Sequence, residues 1–184
     1  MNASERIEPA DVIQFWREAG PESWFRKNAD FDRAIEERFG RLHAEAARGE
    51  RDDWARTPEG ALALVLLLDQ FSRNRLRGKP EAFAQDEKAR QIANAALAAG
   101  FDAKVPPELR QFLYLPLMHS EAIADQERCV RLFHGLPTHG GLPFARDHER
   151  IIRRFGRFPH RNVTLGRHAT PAEQVFLESG GFPG

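Results

Sequence analysis

Residues 61–68 form an unbroken apolar run, ALALVLLL. Thr57 and Pro58 precede it, and a capping Thr followed by Pro is typical of a helix start. A helix that is apolar on every side must be contacted by several other elements, because each of its faces needs a cover. The run therefore predicts a central helix inside a larger helical array. It is far shorter than the roughly 20 residues that a membrane span requires.

The rest of the chain also shows helical spacing, and no segment alternates convincingly like a strand. The predicted class is therefore all-α, with about eight short helices whose antiparallel pairs pack as a bundle or as a curved stack of hairpins. Besides the central helix, the predicted helices run from Pro9 to Ala19, from Asp30 to about Arg48, from Pro80 to Gly100 and from Pro143 to about Phe155, with short ones beginning at Pro106, Pro116 and Thr170.

The bulk properties are those of one globular domain. A chain of 184 residues can bury one core, so we predict a single domain over residues 1–184, with residues 180–184 as a loose tail. The 27 basic residues balance the 27 acidic ones, which argues against nucleic-acid or membrane partners. The N-terminus has no secretory signal, so a cytoplasmic location is expected. The single cysteine, Cys129, is interpreted as a core residue.

A dense polar set follows the apolar run directly. Asp69 comes right after Leu68, so its charge is expected to be part-buried and to need a partner. Arg73 lies four residues further on, on the same helical face, and Asn74 follows it. These spacings favour a structural Asp69–Arg73 ion pair. The alternative is a carboxylate held at the mouth of a pocket.

His119 and Glu121 form a second polar set, just after Pro116, where a helix is predicted to begin. The exposed amide donors of a helix N-terminus suit a carboxylate or a bound anion. His119 could act as a general base, because imidazole titrates near neutrality. The alternative is a packed histidine that is hydrogen-bonded to the backbone, with Glu121 serving only the helix dipole.

The segment Arg150–His168 is a local basic concentration in a neutral protein. It holds six arginines, two histidines and no acidic residue. Its helix is expected to end at Gly156, and Pro159 prevents the helix from resuming, so a turn follows that buried aromatic residues anchor. Converging donors on such a turn suit phosphate or carboxylate, either a ligand's or the protein's own. The donors are Arg157, His160, Arg161 and Asn162.

No motif for a metal, a nucleotide or a catalytic nucleophile occurs in the chain. The His-x-x-x-His and His-Glu-x-x-His spacings are absent, as is a phosphate-binding Gly-rich loop. Neither Ser72 nor Ser120 lies in a nucleophile elbow. We therefore predict no cofactor and no metal, although a metal site assembled in space from His119, His148 and His160 is a remaining alternative.

Three long strings contain most of these polar sets: LALVLLLDQFSRNRLRGKPEAFAQD (62–86), FLYLPLMHSEAIADQ (112–126) and HERIIRRFGRFPHRNVTLGRHATPAEQVFL (148–177). Together they resemble the uncharacterised, mainly bacterial family catalogued as domain of unknown function 924. The resemblance implies an all-helical fold like that of tetratricopeptide repeat proteins. It implies no established activity, substrate or cofactor. Tetratricopeptide-like folds often bind peptides in a concave groove, which is an analogy at the level of the fold.

The leading hypothesis is a helical domain that binds a small anionic ligand or an acidic peptide terminus. The three polar sets would converge on one pocket, with two of the arginines, Arg157 and Arg161, as the clamp. The predicted ligand-binding residues are Asp69, Arg73, Asn74, His119, Glu121, Arg157, His160 and Arg161.

Two other classes of function are open. An enzyme would use His119 or His160 as acid and base, oriented by Asp69 or Glu121, with arginines stabilising negative charge. A scaffold or homodimer would use the polar sets only structurally and bind partners through an apolar groove. RNA binding ranks last because the overall charge is even. The candidate exposed aromatic residues of a scaffold are Trp54, Phe101 and Phe144.

Overall fold

The computed structural model describes residues 7–137 and 139–182, and within them the regular structure is helical, without a strand. The predicted all-α class is confirmed, whereas the tetratricopeptide-like arrangement and the single-domain organisation stay predictions. No helix in this part of the chain is both long and apolar enough to cross a bilayer. The α-helices are α1 (Pro9–Ala19), α2 (Pro21–Trp24), α3 (Ala29–Ala47), α4 (Pro58–Val65), α5 (Ser72–Arg75), α6 (Asp86–Ala98), α7 (Leu115–Met118), α8 (Ile123–His134), α9 (Leu142–Phe155) and α10 (Pro171–Glu178).

The central apolar run is helical and buried, as predicted, but it does not form one regular α-helix. α4 passes at Leu66–Phe71 into a π-helical turn, and α5 continues from Ser72. Residues 61–68 are all completely buried. Apolar periodicity does not reveal the π turn, because the run is apolar at every position. The turn includes Asp69, and π turns occur frequently at functional sites.

Most helix ends follow their local signals. Gly20 ends α1, and the side chains of Thr57 and Thr170 cap α4 and α10 as predicted. α3 begins differently, because the Asn28 side chain accepts hydrogen bonds from two amides of its first turn. α3 therefore begins at Ala29, one residue before the predicted start at Asp30. Asn and Asp are comparable caps, so residue type alone does not choose between them.

Two proline signals predicted more α-helix than forms. Pro80–Phe83 is a 3-10 turn, and α6 begins only at Asp86, so the predicted helix from Pro80 forms in its second part alone. The segment after Pro106 is a turn followed by the 3-10 helix Arg110–Leu113. Proline presets a helical φ at its own position, but it does not ensure that hydrogen bonding continues beyond the first turn.

The fold divides into two compact units, which we describe separately. The first contains the described residues up to Arg77 together with Glu81–Pro116. Within it α4 packs against α1, α6 and the 3-10 turn that precedes α4. The core of this unit includes Trp16, Phe39 and Phe71, all fully buried.

The aromatic residues of the chain differ in burial from the sequence-based expectation. Trp24 is buried, whereas its neighbour Phe25 is 63% exposed. Trp54, predicted to be exposed, is only 7% exposed, because its 3-10 turn packs against α4. Phe144 is 58% exposed, as a scaffold surface would require.

The second unit contains Gly78–Pro80 and the described residues from Leu117 onward. α8 and α9 pack against each other, and α9 ends at Gly156, whose φ of 71° is the predicted left-handed conformation. Cys129 is fully buried as expected, and burial raises the pKa of its thiol to about 12. A small core at the end of α9 comprises Ile151, Ile152 and Phe158, with Phe155, Phe176 and Phe182 packed against it.

The C-terminal tail is more ordered than predicted. The Gly180 amide donates to the carbonyl oxygen of Leu177 at 3.3 Å, and the Gly181 amide donates to that of Phe176 at 2.9 Å. These two hydrogen bonds close a Schellman motif after α10, which requires the positive φ that Gly180 adopts. Residues 180–182 therefore do not form a loose tail, and residues 183–184 lie outside the described part of the chain.

Candidate functional site

Asp69 lies in the π turn and is fully buried. One carboxylate oxygen accepts from Gln70 Nε2 at 2.6 Å, and the other accepts from Arg73 Nη1 at 3.0 Å. The Arg73 guanidinium also binds both carboxylate oxygens of Asp86, at 2.9 and 3.0 Å. The predicted Asp69–Arg73 ion pair is confirmed. It is part of a network that joins the π turn to the start of α6.

The residues after Arg73 attach α5 to α3. Asn74 Nδ2 donates to Asp32 Oδ1 at 2.8 Å, and the Arg77 guanidinium donates to both oxygens of the same carboxylate at 3.2 Å. Arg75 forms a two-point ion pair with Glu36, and this pair lowers the pKa of Glu36. These contacts connect helices of the first unit through opposite charges.

A buried Ser–His contact was not predicted from the sequence. His43 Nε2 lies 2.7 Å from Ser72 Oγ, and Ser72 Oγ donates to the Leu68 carbonyl oxygen at 2.7 Å. Because the single hydroxyl proton is used at Leu68, His43 must donate to the hydroxyl, so it does not activate this serine as a base. Burial is the main cause that lowers the pKa of His43 to about 4. The two residues are far apart in sequence and carry no shared motif.

In the second unit, Glu121 supports the turn after α9. It accepts from the Phe158 amide at 2.8 Å and forms a two-point pair with the Arg167 guanidinium at 2.8 and 3.1 Å. Arg167 also donates to the Phe158 carbonyl oxygen at 3.0 Å. Although burial opposes the change, these hydrogen bonds lower the pKa of Glu121. Glu121 therefore holds the backbone of the turn instead of serving only a helix dipole.

Arg157 makes a similar pair with α10. Its Nε and Nη2 atoms donate to the two oxygens of Glu173 at 2.6 and 2.7 Å, and Nη2 also donates to the His168 carbonyl oxygen at 2.8 Å. Glu173 is 2% exposed and also accepts from the Thr170 amide within the capping box of α10. The Arg157 hydrogen bonds, followed by those of Thr170, lower the pKa of Glu173 to about 2.

We name His119, His148, Phe158, His160 and Arg161 the histidine–arginine cluster. The Arg161 guanidinium lies over the Phe158 ring at 4.6 Å. The His148 and His160 rings contact the same phenyl ring at 5.4 and 5.5 Å between centroids, and the His119 and His148 rings are 6.5 Å apart. Phe158 itself is fully buried. One buried phenyl ring thus positions two imidazoles and a guanidinium.

The imidazoles of His148 and His160 are uncharged at neutral pH. Burial is the largest cause that lowers the pKa of His148 to about 4 and that of His160 to about 3. The positive charge of Arg161 lowers both values further. His148 Nδ1 lies 2.8 Å from the Phe144 carbonyl oxygen, so this nitrogen is the protonated donor of a neutral ring.

Several polar atoms around the turn are buried without a hydrogen-bond partner among the described residues. They include His160 Nδ1, Asn162 Oδ1 and Arg167 Nε. Asn162 is 1% exposed, and its amide nitrogen donates to Glu173 at 3.3 Å. Such atoms are rare in folded proteins, because the loss of hydration is not offset by a new hydrogen bond.

The described residues contain no group of three His, Cys, Asp or Glu side chains that could hold a metal ion, so the three histidines do not form such a site. An open surface groove of about 540 Å³ borders the Glu121 side of the turn. The histidine–arginine cluster offers two kinds of hydrogen-bond donor, neutral imidazole and charged guanidinium, packed on an aromatic ring. The groove is lined by Glu121, Ile123, Ile152, Arg153 and Gly156.

Comparison with known proteins places the chain in a family. The sequence profile described as a bacterial protein of unknown function, DUF924, matches residues 12–181. The chain belongs to the DUF924 family. The solved structure of the protein of unknown function ATU0120 from Agrobacterium tumefaciens is similar to it, with 46% identity and a TM-score of 0.90 over 94% of this chain and 97% of that chain. A search of curated proteins finds no match.

The resemblance to DUF924 seen in the sequence is thereby confirmed. In this DUF924 protein, the sequence-predicted residues fall into two sets within the two units. Asp69, Arg73 and Asn74 take part in the ion-pair network of the first unit. The second unit brings Glu121 against the backbone of the turn, while Arg157 faces α10. The remaining predicted residues, His119, His160 and Arg161, belong to the histidine–arginine cluster.

Proposed function

We propose that this DUF924 protein binds a small anionic ligand at the histidine–arginine cluster. The observation that carries the proposal is the buried Nδ1 atom of His160, which has no hydrogen-bond partner among the described residues. A ligand oxygen would satisfy this nitrogen, since a neutral imidazole can donate from either ring position. Arg161 packs on the same supporting ring, Phe158.

The electrostatics of the cluster favour an anion over a cation. Next to burial, the strongest influence on the pKa of His160 is the positive charge of Arg161, and the opposing influence of Glu121 is smaller. The same guanidinium lowers the pKa of His148. A negatively charged oxygen here would meet a positive field and charge-assisted hydrogen bonds in a partly dry environment.

The residues predicted from the sequence take different parts in this proposal. His160 and Arg161 face the ligand, and His119 and His148 line the cluster. Glu121 and Arg157 position the turn through Arg167 and Glu173. We assign Asp69, Arg73 and Asn74 to the stability of the first unit, because each is engaged by charged or polar neighbours there.

An acid–base enzyme at His119 or His160 has weaker support than a binding site. A general acid or base works best when its pKa lies near the operating pH. The pKa of His160 is lowered to about 3, so this ring is a poor proton acceptor at neutral pH. A neutral ring of this kind is better suited to donate a hydrogen bond to an oxygen that stays in place.

The test is a titration of the protein with sodium phosphate and with sodium acetate at constant ionic strength. Binding is followed through the imidazole resonances in two-dimensional NMR spectra. We expect saturable shifts of the His148 and His160 resonances, and we expect His160→Ala to weaken binding by about tenfold, the loss of one charge-assisted hydrogen bond. Saturable shifts that His160→Ala leaves unchanged would contradict the proposal, as would the absence of saturation with both anions.

The matched control is His168→Ala. His168 is exposed, and its side chain lies outside the cluster, so its removal should leave the affinity for either anion unchanged. Circular dichroism and thermal unfolding of both variants separate a local loss of binding from a loss of the fold. Equal weakening by the two substitutions would indicate nonspecific attraction of anions and would also contradict the proposal.

A further inference from the structure

Phe182, which follows α10, packs on the histidine–arginine cluster. Its ring centroid is 4.6 Å from that of His148 and 5.4 Å from that of His160, with interplanar angles of 67° and 63°. These are edge-to-face contacts, the arrangement that aromatic rings prefer. The Phe182 ring therefore covers two imidazoles of the proposed binding site.

The backbone of the tail directs this ring onto the cluster. The Schellman motif after α10 reverses the chain at Gly180, whose φ is 81°. Gly181 then passes so close to Phe176 that a Cβ atom would lie 2.5 Å from the Phe176 carbonyl oxygen. Only glycine fits both positions without strain. The Ser-Gly-Gly-Phe sequence thus specifies a tight reversal of the chain direction, and the next side chain after the two glycines is aromatic.

We propose that Phe182 is a built-in occupant of an aryl-binding site, and that the ligand is an aryl carboxylate whose ring takes the place of the Phe182 ring. This inference rests on the proposed anion-binding function and adds its ligand class. The aryl ring of the ligand lies against His148 and His160. Its carboxylate meets the Nδ1 atom of His160 and the positive field of Arg161.

The surroundings of Phe182 fit an aryl group of a ligand. The two imidazoles are uncharged, and the fully buried Phe158 lies behind them, so the wall of the site is aromatic and apolar. The polar donors that we assign to the ligand are the side chains of His160 and Arg161, which we name the polar edge of the site. A ligand that is apolar and planar at one end and anionic at the other matches both parts of this surface.

The tail is suited to leave the cluster without unfolding the unit. Two backbone hydrogen bonds hold residues 180–181, and the Phe182 ring is only partly buried. Segments with few buried contacts open at low cost. The Phe182 ring competes with a ligand ring for one place, so its removal should strengthen aryl binding while simple anions bind as before.

The experiment compares wild type with Phe182→Ala, using isothermal titration with three probes: benzoate, acetate and benzamide. We expect Phe182→Ala to bind benzoate about tenfold more tightly than wild type, because the competing ring contacts are gone. Acetate should bind both proteins equally, since it needs only the polar edge. Benzamide, which has the ring without the charge, should bind the variant more weakly than benzoate.

The matched control is Val175→Ala, which also truncates an apolar side chain near the C-terminus. Val175 is 63% exposed on α10, so this variant should bind all three probes like wild type. A Phe182→Ala variant that binds acetate but gains no affinity for benzoate would overturn the aryl site and leave the anion site standing. If neither protein bound acetate, benzoate or phosphate, the proposed function itself would fail. Equal affinity for benzamide and benzoate in the variant would overturn the carboxylate assignment.

Discussion

The sequence pattern singled out Arg157 as a ligand-binding residue, but in the structure Arg157 binds a carboxylate of the protein. The basic turn after α9 correctly indicated donors that meet a carboxylate, but the carboxylate at Arg157 is the protein's own Glu173. The sequence separates the two residues by a loop and a helix start. Their pairing depends on how α10 folds back against the turn, which spacing does not report.

We expect Arg157→Ala to lower the free energy of unfolding more than a surface substitution does, because the carboxylate of Glu173 loses its main partner. Glu173 is 2% exposed in the folded protein, and Arg157 donates to both of its carboxylate oxygens. Urea unfolding at pH 7, followed by circular dichroism, measures the change.

Arg150→Ala is the control for this loss. Arg150 pairs with Asp147 on the surface of α9, where the side chains are 77% and 48% exposed, so its removal should cost less than about 1 kcal/mol. Equal costs for the two substitutions would mean that the Arg157–Glu173 pair adds no more than a surface ion pair.

α4 shows what a helix pattern reveals and what it conceals. The apolar run and its Thr-Pro start predicted a buried central helix correctly. They did not predict the π turn at Leu66–Phe71, or that the 3-10 turn before α4 lies against its first residues. Gly60 marks that second contact, because a Cβ atom there would lie 2.0 Å from the Trp54 carbonyl oxygen.

We expect Gly60→Ala to destabilise the protein by about 2–4 kcal/mol, although alanine is the better helix former. The added methyl group must displace the backbone of the Trp54 turn, so packing outweighs propensity. Thermal or urea unfolding gives the difference from wild type.

Gly135→Ala is the comparison. Gly135 follows α8 with φ −78°, and the nearest atom to its added Cβ would be 3.5 Å away. This substitution should be neutral or stabilise by up to about 1 kcal/mol, since it restricts the unfolded chain. A Gly60→Ala variant as stable as Gly135→Ala would show that the backbone at Trp54 can shift without lowering the free energy of unfolding.

The molecule as a whole buries neutral histidines, and this makes its stability depend on pH. Burial lowers the pKa values of His43, His148 and His160 to about 4, 4 and 3. In the unfolded chain these rings titrate near 6.5. Between these values the unfolded state binds more protons than the folded state, so stability must fall as the pH decreases from about 6.5 towards 4.

We expect the free energy of unfolding to drop by about 1–2 kcal/mol per buried histidine between pH 7 and pH 5, and to be nearly constant between pH 7 and pH 8. Carboxylates with lowered pKa values, such as Glu121 and Glu173, lose their contribution only at lower pH. Urea unfolding at pH 5, 6, 7 and 8 measures the dependence. Replacement of His148 by Gln should reduce it, whereas His168→Ala should not. A flat profile between pH 7 and pH 5 would rule out neutral burial of these rings.

The sequence alone determined the all-α class, the buried central run, most helix ends and the family. These properties depend on neighbours within a few residues, or on long strings of residue types, and both are visible in a linear pattern. It also indicated the basic turn, because Gly156 and Pro159 confine the chain locally.

The tertiary structure decided which charged side chains pair with each other and which buried polar atoms lack a hydrogen-bond partner. The pairs His43 with Ser72, Glu121 with Arg167 and Arg157 with Glu173 join residues that no local rule connects. The Phe182 ring reaches the histidines only because α10 and its Schellman motif return the chain to them. Hydrogen bonds and ring contacts act over a few ångströms in space, and distance along the chain does not determine that separation.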